Sequence, residues 1–154
     1  MKTAKELVDE ALAQIVTISL DEARAMHGRD DLLFVDLRDV RELQREGAIP
    51  GAFHAPRGVL EFWVDPQSEY FKPVFAPGRQ LVLFCAAGWR SALAAKTLQD
   101  MGMSGVCHID GGFTAWRAAG AAVLPPTSKP ASEPDSKPAS KPASKPDSKP
   151  AGKV

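Results

Sequence analysis

Only two cysteines and one tyrosine occur in the 154 residues, and two cysteines cannot make a disulfide framework. His27, His54 and His108 are scattered without ligand spacing and no second cysteine motif accompanies them, so a metal site is not expected. No uncharged apolar run approaches the length of a membrane span, which excludes a transmembrane protein. The opening MKTAKELVDEALAQI interleaves acidic with apolar residues and lacks the unbroken apolar run and small-residue cleavage site of a signal peptide, so a cytoplasmic protein is expected. Charge of one sign is missing too: the formal net charge is zero, which does not suit a dedicated nucleic-acid binder.

What is present divides unevenly. From Pro125 the chain reads in fours (TSKP, ASEP, DSKP, ASKP) and holds eight of the 13 prolines, with no aromatic or large aliphatic residue before Val154. Such a stretch has almost nothing to bury, and residues 124–154 are expected to form a disordered, solvated tail carrying a small positive charge. All seven Phe, all three Trp and the one Tyr lie before it. The expected organisation is a helical lead-in over 1–27, a single folded domain over 28–123, and the tail.

Val8, Ala11, Leu12 and Ile15 recur at helical spacing, and Ser19 with Glu22 forms a capping box that starts a second short helix, ended by Gly28. LLFVDL, QLVLFC and GVCHID are continuous apolar runs that suit strands buried on both faces. RDVRELQREG and SALAAKTLQDMG read as helices, the latter presenting Ala94, Thr97, Leu98 and Met101 on one apolar face, and GGFTAWRAAG as a last one. GVLEFWV reads as a helical turn, and Trp63, Trp116 and the phenylalanines as core. Alternating strands and helices with short buried strands indicate an α/β domain with a mainly parallel sheet covered by helices on both faces. In such sheets the site lies beyond the carboxyl ends of the strands.

Cys85 ends the strongest strand of the sequence and is followed by Ala86, Ala87, Gly88, Trp89, Arg90 and a helix. Backbone N–H groups and the helix dipole at that place favour a negative charge, so thiolate is the form they stabilise. Small residues let the loop curl so that successive N–H groups face one concavity, and Arg90 adds a cation. Cys107, by contrast, lies inside an apolar strand and is expected to pack.

Three separated stretches resemble the rhodanese family of sulfurtransferases over roughly residues 28–123: FVDLRDVRELQREGAIPGAFHAP, LVLFCAAGWRSALAA and HIDGGFTAW. The resemblance implies one rhodanese-like domain with a mainly parallel five-stranded sheet. It further implies that Cys85 takes a sulfane sulfur from a small anion such as thiosulfate, becomes a persulfide, and passes the outer sulfur to cyanide or a thiol, with no metal or cofactor. The amides from Ala86 to Arg90 would hold the persulfide anion. Four residues separate Cys85 from Arg90, whereas related phosphatases and arsenate reductases carry five; the shorter loop favours sulfur. Ala86 and Ala87 stand where several thiosulfate-using members place basic residues, leaving Arg90 and Arg57 as cations. Ala48 replaces a histidine frequent in the family's turn, with no expected effect on the chemistry. Asp36, Arg38 and Arg41 read either as substrate contacts or as an ion-pair cluster supporting the loop, and Trp89 as an outward side chain at the mouth. The alternative to an enzyme is a persulfide carrier fed by a sulfur-relay protein.

Overall fold

The computed structural model describes residues 1–127; the part of the expected tail beyond them, 128–154, lies outside the described residues. The elements run α1 (Ala4–Leu12), β1 (Val16–Ile18), α2 (Leu20–Met26), β2 (Leu32–Asp36), α3 (Val40–Glu46), β3 (Phe53–His54), α4 (Leu60–Val64), β4 (Gln80–Phe84), α5 (Trp89–Asp100), β5 (Val106–Ile109) and α6 (Gly112–Ala118). All four strand pairings are parallel, in the order β1-β5-β4-β2-β3. The expected α/β domain with a five-stranded parallel sheet is the one observed.

The three continuous apolar runs became β2, β4 and β5, the three inner strands, because only strands covered on both faces need apolar residues at every position. Their alternate side chains feed two cores. Leu33, Val35, Leu81 and Leu83 meet Leu60 and Val64 of α4 and Ala94, Ala95 and Leu98 of α5 on one face. Phe34, Val82, Phe84 and Ile109 meet Ala23 of α2 and Phe113 and Trp116 of α6 on the other.

The first 27 residues do not stand apart from the rest. β1 is an edge strand of the sheet, with Thr17 opposite His108, and Val8 and Ala11 of α1 pack on Ala92 of α5. Three capping boxes start helices: Thr3 with Glu6, Ser19 with Glu22, and Asp39 with Glu42. At the other end Leu124 bridges antiparallel to Ala48, and Thr127 N donates to the Gln44 carbonyl at 2.8 Å, so the beginning of the segment read as a tail is tied to α3. Two packing expectations change. Met101 is exposed because it is the C-cap that follows α5, and the buried face of the helix is Ser91, Ala92, Ala94, Ala95 and Leu98. Phe62 is exposed, its ring edge to face with that of the exposed Tyr70, because α4 turns Leu60 and Val64 inward instead.

Candidate active site

β4 occupies the centre of the sheet and delivers Cys85 just beyond its carboxyl end, where the residue is 1% exposed. Gly88 then turns the chain with φ of +124°, a conformation that side chains with a Cβ rarely adopt, and serves as the N-cap of the 12-residue α5. The turn brings the Gly88 N–H to 3.2 Å from Cys85 Sγ, where it donates to the sulfur. The sulfur therefore sits at the positive end of a helix, facing a backbone donor, as a thiolate or persulfide anion requires.

α6 holds the same loop from behind. Phe113 N donates to the Cys85 carbonyl at 2.8 Å and Thr114 N to the Ala86 carbonyl at 3.0 Å. A planar trans peptide points its N–H opposite to its C=O, so clamping these carbonyls turns the amides of Ala86 and Ala87 away from α6. The contact depends on glycine: Gly112 has φ of +57°, and a Cβ there would meet the Cys85 carbonyl oxygen and stand 2.8 Å from that of Ala86.

Arg90 lies beside the sulfur and is not an unpaired cation. Its Nη1 and Nη2 donate to Glu42 Oε2 and Oε1 at 2.8 and 3.0 Å, and Glu42 also accepts the Asp39 N–H in the cap of α3. The Arg90 pKa is pushed up, chiefly by hydrogen bonding to Glu42 and in smaller part by the Cys85 sulfur. The Glu42 carboxyl is held below its ordinary value, first by its hydrogen bond from Arg90. Trp89 points outward and is 55% exposed.

The other charged residues separate into different surroundings. Asp36 and Arg38 are buried together, with Arg38 Nη2 donating to Asp36 Oδ2 at 2.7 Å and to the Gly47 carbonyl at 2.9 Å, and the guanidinium lies 4.0 Å from the Phe113 ring centroid. The pair thus ties the end of β2 to the end of α3 and to α6. Arg41 does not join it: its exposed side chain pairs with Asp39 at 3.1 Å. Arg57 pairs with Glu61 at 2.8 Å and reaches Thr97 of α5 at 3.4 Å, so it too has an internal partner.

Three residues near the sulfur escaped the sequence reading as parts of the site. Ser91 and His108 are buried, with Ser91 Oγ 3.7 Å from Cys85 Sγ and 2.8 Å from His108 Nδ1. Each is a polar residue inside an otherwise apolar segment, which was the available signal. The third is Glu42, read only as part of the helix RDVRELQREG, whose pairing with Arg90 has no local signal. Cys107 is buried in β5, and burial pushes its thiol up to about 11, so it remains protonated at neutral pH.

Geometry of this kind, a cysteine and a tight amide loop at the carboxyl end of a central parallel strand, defines a class of anion-handling cysteine sites. The Rhodanese-like domain family model matches residues 19–119, and the chain belongs to that family. It is 30% identical to an uncharacterised protein of Synechocystis over 75% of this chain, and spans 59% of that relative's length. It is 29% identical to the thiosulfate sulfurtransferase GlpE of Pseudoalteromonas translucida, over 66% of this chain and 89% of that protein. Among solved structures, a Rhodopseudomonas palustris protein of unknown function, described as a possible tyrosine phosphatase, is 51% identical with a TM-score of 0.78, covering 80% of this chain and 95% of that one. The polysulfide-sulfur transferase homodimer of Wolinella succinogenes is 29% identical with a TM-score of 0.60, covering 78% and 85%. No helix among the described residues is long and apolar enough to cross a membrane.

Proposed function

We propose that this protein transfers a sulfane sulfur through a persulfide on Cys85, with Ala86, Ala87, Gly88, Trp89 and Arg90 as the loop that holds the anion. The observation that carries the reading is the Cys85 sulfur, held 3.2 Å from the Gly88 N–H at the start of α5 in a loop with only four residues before Arg90. In the first step the Cys85 thiolate attacks the outer sulfur of thiosulfate; the S–S bond of the donor breaks and sulfite leaves with the electron pair. In the second, cyanide or a thiolate attacks the outer sulfur of the persulfide, the new S–S bond breaks, and the Cys85 thiolate returns. Neither step needs an external oxidant or reductant. Donors pointing into the loop hold the single negative charge, first on the thiolate and then on the outer sulfur of the persulfide.

The description of the Rhodopseudomonas palustris neighbour raises phosphate-ester hydrolysis as a second reading. The four-residue span to Arg90, and the pairing of that arginine with Glu42, leave a smaller and less positive cradle than a tetrahedral phosphate needs. Intact-protein mass after brief incubation with thiosulfate separates the possibilities. The wild type is expected to gain one sulfur, about 32 Da from its atomic mass, to lose it on adding cyanide, and Cys85→Ser to gain none. If the wild type gains nothing from thiosulfate but gains the same mass from a protein persulfide, the chain is a carrier. No sulfur gain from either donor, together with hydrolysis of an aryl phosphate, would overturn the sulfur reading.

Glu42→Gln is expected to act on donor binding more than on stability. Glutamine keeps the cap of α3 but gives up the ion pair, whose arginine is partly exposed, so the loss in stability is at most about 1 kcal/mol. The released Arg90 charge should lower KM for thiosulfate several-fold. Because the Glu42 carboxyl lies below its ordinary value of 4.5, the pair contributes fully above that pH and its contribution disappears as pH falls through the lowered value. Thermal melts of both proteins across that range, which should converge at the acid end, check the sign.

A further inference from the structure

Four side chains form a continuous row from the nucleophile to the edge of the sheet. Cys85 Sγ is 3.7 Å from Ser91 Oγ, Ser91 Oγ is 2.8 Å from His108 Nδ1, and His108 Nε2 is 3.1 Å from Thr17 Oγ1. Cys85, Ser91 and His108 are buried, and Thr17 is exposed on edge strand β1. Every link joins groups able both to give and to receive a hydrogen bond. The row also runs under the loop itself, since the His108 ring carbon Cε1 lies 4.0 Å from where a Gly88 Cβ would stand.

Building on the sulfur-transfer reading above, we propose that this row is the exit path for the Cys85 thiol proton, with Ser91 receiving it from the sulfur and His108 acting as the positioning residue that connects Ser91 to solvent at Thr17. A thiol must lose its proton before it can attack, and a cysteine 1% exposed has little water to take it. In the resting row the S–H donates to Ser91 Oγ, the Ser91 hydroxyl to Nδ1, and Nε2–H to Thr17 Oγ1. On ionisation the S–H bond breaks and its proton goes to Ser91 Oγ, as the Ser91 proton moves to Nδ1, the Nε2 proton to Thr17, and the Thr17 proton to water. Each middle group gains one proton and loses one, so the imidazole is neutral before and after.

The reversed row has a consequence for the thiolate. His108 now donates from Nδ1 to Ser91, which directs the serine hydroxyl at the sulfur and adds a second donor to the Gly88 N–H. Ser91 has one other acceptor, the Gly88 carbonyl at 3.2 Å, and the shorter bond to His108 competes with it. A neutral imidazole is what the row requires, and burial pushes the His108 pKa down, with Asp110, in the turn just after β5, opposing. Among the described residues β1 and α5 present to this ring the hydroxyls of Thr17 and Ser91, and β4 carries only Gln80 as a polar side chain, which lies toward Cys107.

The test is the pH profile of Cys85 alkylation by iodoacetamide, read by peptide mapping so that Cys107 is scored separately, in the full chain. Ser91→Ala and His108→Asn are each expected to displace the profile toward alkaline pH by about one unit, a tenfold slower reaction at neutral pH that recovers in base. Ser91→Thr, which keeps the hydroxyl, should restore the wild-type profile. A purely structural role would slow alkylation equally at all pH values. Thr17→Val, on the exposed edge, gives the same reading if a core variant fails to fold, with a smaller alkaline displacement expected. Profiles of Ser91→Ala, His108→Asn and Thr17→Val that overlay the wild type overturn the proposal. Because alkylation does not depend on a sulfur donor, absence of a persulfide in the mass experiment, with the alkaline displacement present, would count against sulfur transfer and leave the proton path standing.

Discussion

Arg38→Ala is expected to lower stability by about 3–5 kcal/mol, the cost of leaving the other member of a buried ion pair without its partner. Asp36 and Arg38 are 1% and 0% exposed, so water cannot replace the lost cation. The Gly47 carbonyl would lose its donor, and Phe113 the guanidinium lying over its ring. Against a total of about 5–15 kcal/mol for a domain, such a loss brings the chain near its unfolding threshold. The charge pair itself is not the source of that stability. Replacing both members by apolar residues, Asp36→Leu with Arg38→Met, removes the desolvation cost along with the attraction and is expected to destabilise far less than Arg38→Ala alone. Denaturant melts of the three proteins check this. A single-variant loss below about 1 kcal/mol would place the pair with exposed ones.

Gly112→Ala is expected to combine a loss of stability with a near-complete loss of sulfur transfer. A left-handed φ costs an alanine about 1–2 kcal/mol. The added methyl would also press against the carbonyl oxygens of Cys85 and Ala86, which are rigid backbone and cannot move aside without moving the loop. Moving those carbonyls breaks the donations from Phe113 and Thr114 and turns the amides that should hold the persulfide. The expected signature is a fall in turnover much larger than the stability loss explains, measured as persulfide formation at a temperature where circular dichroism shows the variant folded. Gly120→Ala is the control: its φ is +77° but nothing stands within 4 Å of a Cβ there, so it should carry the backbone cost without the loss of turnover.

Strand identity was legible wherever burial on both faces left an apolar run, as in β2, β4 and β5. The two edge strands were not, because VTI and FH are too short to show a period and owe their conformation to a neighbour. Within the site, Cys85 and its loop were readable since strand, small residues, arginine and helix are adjacent in sequence. Arg90 was read as an available cation because its partner Glu42 lies 48 positions away and is brought to it only by the tertiary fold. His108 looked like an isolated histidine for the same reason: its contacts are 17 and 91 positions away. Local chemistry is written locally, whereas pairings across the sheet follow from topology.

The strand order has a bearing on how the chain is made. β1 leaves the ribosome before the other four strands of the sheet, yet among the described residues it pairs with β5, and the Thr17 to His108 contact spans 91 positions. At ordinary rates of synthesis β1 waits on the order of ten seconds for its partner. Meanwhile β2, β3 and β4 can already pair with one another, since their pairings join nearer segments and close smaller loops. The edge that completes the sheet is therefore added after the other strands have been made, and with it the surface end of the row that begins at the sulfur.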